Sequence, residues 1–202
     1  MIFNLYDWDD TLVLSRKALY LSYKKALSDW DIQFEYSYFN DFIYSDATKF
    51  MKNLNFSDEE IEEIKTKKEK YYLNDFFDEI IFKIPDWSDK RVNNQYYIVT
   101  NTNQSLVQEM LLKKFNTTLP FQGFIGTYDG IKRKPAPDLY EAAFSIFRHK
   151  WDSHNDELHI YEDSVEGLLS AAKFIEMYRK RIKKFKLHHV TYEDPFTNIQ
   201  IT

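Results

Sequence analysis

The first apolar run of the chain ends in acid: Ile2-Phe3-Asn4-Leu5-Tyr6-Asp7-Trp8-Asp9-Asp10-Thr11-Leu12. A near-continuous apolar stretch of this length reads as a strand buried on both faces of a parallel sheet. Asp7, Asp9 and Asp10 then fall where the carboxyl end of that strand opens into a crevice. Two carboxylates ~4 Å apart repel by about 4 kcal/mol at an effective dielectric near 20. A fold that keeps such a cluster must relieve it with a cation, a proton or wide exposure. A divalent metal is the sharpest of these options.

The rhythm of the chain supports an α/β fold. Short apolar runs recur at Ile2–Tyr6, Tyr96–Val99, Phe124–Tyr128 and Leu158–Tyr161, and helical patterns lie between or after them. Leu106, Val107, Met110, Leu111 and Phe115 keep helical spacing, as do Leu139, Ala142, Ala143 and Ile146, and Leu168–Ile182 also reads as helix. Strand alternating with helix predicts a doubly wound parallel sheet. Residues 15–86 break the rhythm. Ser15–Leu27 looks helical, Ser57-Asp58-Glu59-Glu60 opens a second helix with a capping box, and Phe76–Phe82 is a further apolar patch. About 70 residues without a clear strand are too many for a loop. The expected organisation is therefore a core of residues 1–14 and 87–202, with a helical subdomain at 15–86.

Composition narrows the function classes. The chain has 202 residues and a net charge of −5, which counts against long nucleic acid and membrane surfaces as partners. The basic block Arg179-Lys180-Arg181, Lys183-Lys184 and Lys186 reads as a solvated helix end. There is no Cys, so disulfides and Cys-ligated metals are excluded. No apolar run approaches ~18 residues, and the N-terminus enters a strand at once without a leader pattern. A soluble, cytoplasmic, monomeric protein is expected.

In open α/β sheets, ligands bind beyond the carboxyl ends of the strands. Asp7 and Asp9 follow the first strand, Thr100-Asn101-Thr102-Asn103 the second, and Glu162-Asp163-Ser164 the last of the four runs. Lys134 sits in Lys132-Arg133-Lys134-Pro135-Ala136-Pro137-Asp138, before the Leu139 helix. Acids, hydroxyls, an amide and a cation thus converge on one edge. That is the equipment of phosphoryl transfer: a metal held by carboxylates, a positive clamp and hydrogen-bond donors.

Four motifs in this order resemble the haloacid dehalogenase superfamily: Asp7-Trp8-Asp9-Asp10-Thr11, Thr100, Lys134 and Glu162-Asp163. The wording of Lys134-Pro135-Ala136-Pro137-Asp138 and of Glu162-Asp163-Ser164-Val165-Glu166-Gly167 is similar to the branch containing β-phosphoglucomutase and phosphoglycolate phosphatase. The resemblance covers roughly residues 1–175, and the helical insert resembles that branch's class I cap. It implies a Rossmann-like core and Mg²⁺-dependent hydrolysis of a small phosphate monoester. Asp7 would be the nucleophile and Asp9 the general acid and base. Mg²⁺ would be held by the Asp7 carboxylate, the Asp9 main-chain carbonyl and the Asp163 carboxylate. Thr100 and the Asn101 amide would bind phosphoryl oxygens, and Lys134 would offset the charge of Asp7 and the phosphate. Glu162 would reach the metal through water or hydrogen-bond the loop.

Other features carry less. Asp10, where the family commonly has glycine, reads as a turn residue, and Ser164 as a helix N-cap. Pro85-Asp86 replaces a usual Pro-Gly, and Glu176-Met177 a usual small-Gly turn. The five histidines, His149, His154, His159, His188 and His189, lack ligand spacing and read as structural or surface. Leu187–Tyr192 lies outside the resemblance and reads as a further strand. Trp8 is bulky for a position near the substrate path and would narrow the entrance. In the cap, Arg16, Lys49 and Lys52 are candidates to face a substrate anion. Trp30, Phe34, Tyr36, Tyr38, Phe39, Phe42 and Tyr44 read mainly as cap core. Three rival functions share these residues: a sugar phosphomutase, a nucleotidase or nucleic-acid-end phosphatase, and a non-catalytic phosphate-binding protein.

Overall fold

The computed structural model describes residues 1–39, 47–84, 93–116, 121–128 and 130–192. In chain order the strands are β1 (Ile2–Tyr6), β2 (Val13–Leu14), β3 (Ile81–Phe82), β4 (Asn94–Asn103), β5 (Gly123–Thr127), β6 (Glu157–Glu162) and β7 (Phe185–His189). The helices are α1 (Arg16–Ser28), α2 (Ala47–Asn53), α3 (Asp58–Asn74), α4 (Gln104–Phe115), α5 (Asp138–Phe147) and α6 (Val165–Tyr178). The five longer strands form one sheet in the order β5-β4-β1-β6-β7, with every pairing parallel. β1 is central, which is why its run is apolar almost throughout. The α/β expectation holds.

One face of the sheet makes the main core. Phe3, Leu5, Val99, Leu158 and Ile160 pack against Leu139, Ala143 and Phe147 of α5 and Ala171 and Phe174 of α6. The four-residue spacing of the α5 side chains lines one helical face. Phe3 stacks on Phe147 with ring centroids 4.4 Å apart. Each such buried side chain contributes roughly 1.5–3 kcal/mol.

The chain divides into two compact units. Met1–Leu14 and Phe82–Glu193 carry the sheet, and Ser15–Ile81 is a helical unit with its own core. That second core gathers Tyr20, Leu27, Phe34, Phe39, Met51, Ile61 and Ile64, with Trp30 and Tyr36 packed against it. The capping box at α3 forms as expected, Ser57 and Glu60 bonding reciprocally. Tyr38 is exposed, Lys49 is exposed and Lys52 pairs with Asp58 at 3.0 Å. Arg16 is partly buried. Phe42, Tyr44, Pro85 and Asp86 lie outside the described residues.

Some boundaries differ from the sequence reading. α6 ends at Tyr178 rather than Ile182. The N–H groups of both Arg181 and Ile182 donate to the Tyr178 carbonyl, and this turn returns Ile182 to the core at 2% exposure. β4 runs on to Asn103, but its ladder to β5 shifts between Val99 and Asn103. Trp8 does not line an entrance. It is fully buried and packs edge-on against Phe82 at 6.3 Å. The turn after β1 folds back, with Leu12 and Val13 N–H groups donating to the Trp8 carbonyl. Its Nε1 has no hydrogen-bond partner among the described residues.

Candidate active site

The centre of the site is Lys134, 7% exposed. Its ammonium donates to Asp7 Oδ1 at 2.7 Å, to Glu162 Oε1 at 2.5 Å and to the Val99 carbonyl at 2.6 Å. Asp7 comes from the end of β1 and Glu162 from the end of β6, so two neighbouring strand ends share one cation. Glu162 Oε1 also accepts from the Tyr140 hydroxyl of α5. Its Oε2 is buried without a hydrogen-bond partner and lies against Gly167. A Cβ at Gly167 would stand 1.9 Å from that oxygen, so only glycine leaves room for the carboxylate there.

Asp163 completes the acidic group. One carboxylate oxygen each from Asp7, Glu162 and Asp163 lie within 4.8 Å of one another. The Thr11 hydroxyl donates to Asp163 Oδ1 at 3.5 Å. Ser164 caps α6, accepting from the Gly167 N–H at 3.0 Å. Asp10 has φ +53°, the left-handed region that glycine fills freely and Asp tolerates. It is a turn residue, as expected, and the family's usual glycine at this place has the same backbone explanation.

The second motif lies where the β4 ladder shifts. Thr100 is 1% exposed, and its hydroxyl accepts from the Thr102 N–H at 3.1 Å. The Asn101 side chain pairs with the main chain of Lys134, accepting from its N–H at 2.9 Å and donating to its carbonyl at 3.5 Å. Asn101 thereby holds the loop that presents the ammonium. The Thr102 hydroxyl donates to Asp9 Oδ2. On β5, a Cβ at Gly126 would stand 2.6 Å from the Thr102 carbonyl, so glycine permits this close approach.

The charges do not balance. Three carboxylates surround one ammonium. Burial pushes the Asp7 carboxyl up to about 7, with Glu162 adding to the rise and Lys134 opposing it. Burial, then Asp7, Asp10 and Glu162, push Asp163 up to about 8. Burial disfavours the Lys134 charge, but Asp7 and Glu162 outweigh it and hold its pKa above the usual lysine value. The donor set therefore suits a hard divalent cation, which prefers carboxylate oxygens. Lys134 engages one oxygen each of Asp7 and Glu162, and Asp163 stands in the same group without an ammonium at ion-pair distance among the described residues.

Residues 4–177 match the family of haloacid dehalogenase-like hydrolases. The chain belongs to that family. Its hydrolase character, read from four motifs, stands with this match. Among solved structures, CbbY from Rhodobacter sphaeroides in complex with phosphate is similar, with TM-score 0.68 and 16% identity over 97% of this chain and 90% of that one. A candidate phosphoglycolate phosphatase from Lactobacillus plantarum gives TM-score 0.66 and 18% identity over 91% and 84%. A hydrolase from Pseudomonas syringae gives 0.65 and 21% over 86% and 81%. At these identities the likeness speaks for the fold alone. Among curated proteins nothing matches. No helix among the described residues is long and apolar enough to cross a membrane.

All the sequence-predicted core residues thus fall on one edge of the sheet. Tyr140 and Thr102 were not singled out by the sequence, and Gly167 only as the end of a quoted motif. Thr102 stood in the quoted Thr100–Asn103 run, but nothing local marked it as the partner of Asp9. Tyr140 carries no sequence signal, because its role depends on where α5 packs.

Proposed function

We propose that the protein is a Mg²⁺-dependent phosphatase that hydrolyses the phosphate monoester of a small metabolite through a phosphoaspartate on Asp7. The observation that carries this reading is the Lys134 ammonium bridging Asp7 and Glu162, with Asp163 alongside. Asp7, Asp163 and the Asp9 carbonyl would hold Mg²⁺, which would offset negative charge and polarise phosphoryl oxygens when bound. Lys134 lets the anionic phosphate approach the anionic nucleophile. Asp7 attacks phosphorus, forming one P–O bond as the ester P–O bond breaks, and Asp9 gives its proton to the leaving oxygen. Asp9 then takes a proton from water, whose oxygen displaces Asp7 and releases phosphate. Thr100 and Asn101 assist by binding phosphoryl oxygens, and Asn101 also holds the Lys134 loop. The helical unit Ser15–Ile81 would be the cap, where selectivity would reside.

CbbY is known bound to phosphate and, in a mutant form, to xylulose-1,5-bisphosphate. Sugar bisphosphates therefore belong in the test panel beside phosphoglycolate, sugar monophosphates and nucleoside monophosphates. Phosphate release with Mg²⁺ should occur on at least one of them and be lost in Asp7→Asn with the fold intact. Wild-type turnover in Asp7→Asn would overturn the assignment. Transfer to substrate rather than to water would instead mark a mutase.

A further inference from the structure

The family match ends at residue 177, yet the chain beyond it returns to the acidic site. β7 pairs with β6 along its whole length, placing His189 opposite Glu162. The Val190 N–H then donates to the Glu162 carbonyl at 2.7 Å. His189 Nε2 lies 3.0 Å from the Asp163 carbonyl and must donate to it, since a carbonyl only accepts. Three residues on, the Tyr192 hydroxyl donates to the Thr11 carbonyl at 3.1 Å. Thr11 and Asp163 belong to the two loops that carry the acids, and a 3.5 Å side-chain contact joins them directly.

Those loops have a reason to part. Asp7 and Asp10 both repel Asp163 across the gap, and among the described residues Lys134 is the cation paired with Asp7. A contact to the main chain of each loop resists that separation without adding negative charge or occupying a carboxylate oxygen. We propose that His189–Tyr192 is a clasp, in which His189 and Tyr192 are positioning residues that hold the Asp163 and Thr11 loops at the spacing a divalent cation requires. The inference rests on the metal-site reading above. It goes beyond that reading in assigning part of the metal affinity to a segment outside the family match.

The test uses the full chain and Mg²⁺ alone, without substrate. Tyr192→Phe and His189→Ala should each weaken Mg²⁺ binding by calorimetry about five- to tenfold, the worth of one hydrogen bond. His189→Gln, which keeps a donor at the same reach, should return the affinity to within about twofold of wild type. In the metal-free protein, hydrogen exchange should quicken at the Thr11 and Asp163 loops in Tyr192→Phe while the β1 amides stay protected. Unchanged affinity and unchanged exchange in both single variants would overturn the clasp. Failure of His189→Gln to rescue would overturn the His189 contact. A wild-type protein that binds no Mg²⁺ would sink the metal-site reading itself, and the exchange experiment would still judge the clasp.

Discussion

Without divalent cation, the stability of this protein should fall as pH rises through neutrality. The carboxyl groups of Asp7 and Asp163 ionise near 3.8 in an unfolded chain but hold their protons to about 7 and about 8 in the fold. Between those limits the folded state binds more protons than the unfolded one, so stability must fall as pH rises. It is fully retained below the unfolded value and fully lost above the folded one. The rise of about three units at Asp7 corresponds to roughly 4 kcal/mol, and that at Asp163 to roughly 5 kcal/mol. A Coulomb check on two carboxylates at the 4.8 Å limit gives about 3 kcal/mol at an effective dielectric near 20, to which burial adds. The two groups interact, so their losses overlap. One proton is a floor, worth about 1.4 kcal/mol per pH unit. From about pH 5.5 to about pH 7 the metal-free protein should lose at least about 2 kcal/mol, or about 4–8 °C in melting temperature. Thermal melts by circular dichroism in EDTA, repeated with excess Mg²⁺, measure this directly. Mg²⁺ should flatten the slope, and Asp163→Asn should reduce it in EDTA. A melting temperature that is level or rises with pH in EDTA would refute the reasoning.

Other perturbations test the packing around that charge cluster. Gly167→Ala drives a methyl into the Glu162 carboxylate that Lys134 and Tyr140 pin in place, and should cost roughly 3 kcal/mol in chemical denaturation. Tyr140→Phe removes a buried donor from Glu162 and should cost about 1–3 kcal/mol, again read from denaturation. Asp10→Gly relieves a left-handed backbone and removes a charge that presses on Asp163, so metal-free melting should rise by a few degrees for about 1 kcal/mol gained. A lower melting temperature would contradict that account. Asp163→Ala should weaken Mg²⁺ binding in a calorimetric titration, and a curve matching wild type would remove Asp163 from the metal site.

The sequence determined the elements whose physics is local. β1 was legible because a strand buried on both faces is apolar almost throughout, and α3 because Ser57 and Glu60 form a capping box within four residues. The acids were legible because Asp7, Asp9, Glu162 and Asp163 stand directly at strand ends, where an α/β sheet opens. Lys134 stood out as a loop cation before the Leu139 helix and through its place in an ordered set of motifs. Tertiary structure decided what depends on distant chain segments. It turned Trp8 inward and bent the chain after Tyr178 so that Ile182 reached the core. It brought Tyr140 to Glu162, Thr102 to Asp9 and Tyr192 back to Thr11, 181 residues away in the chain. A side-chain pattern announces which face of its own element is apolar, but a hydrogen bond across such a separation exists only once the sheet and helices have packed.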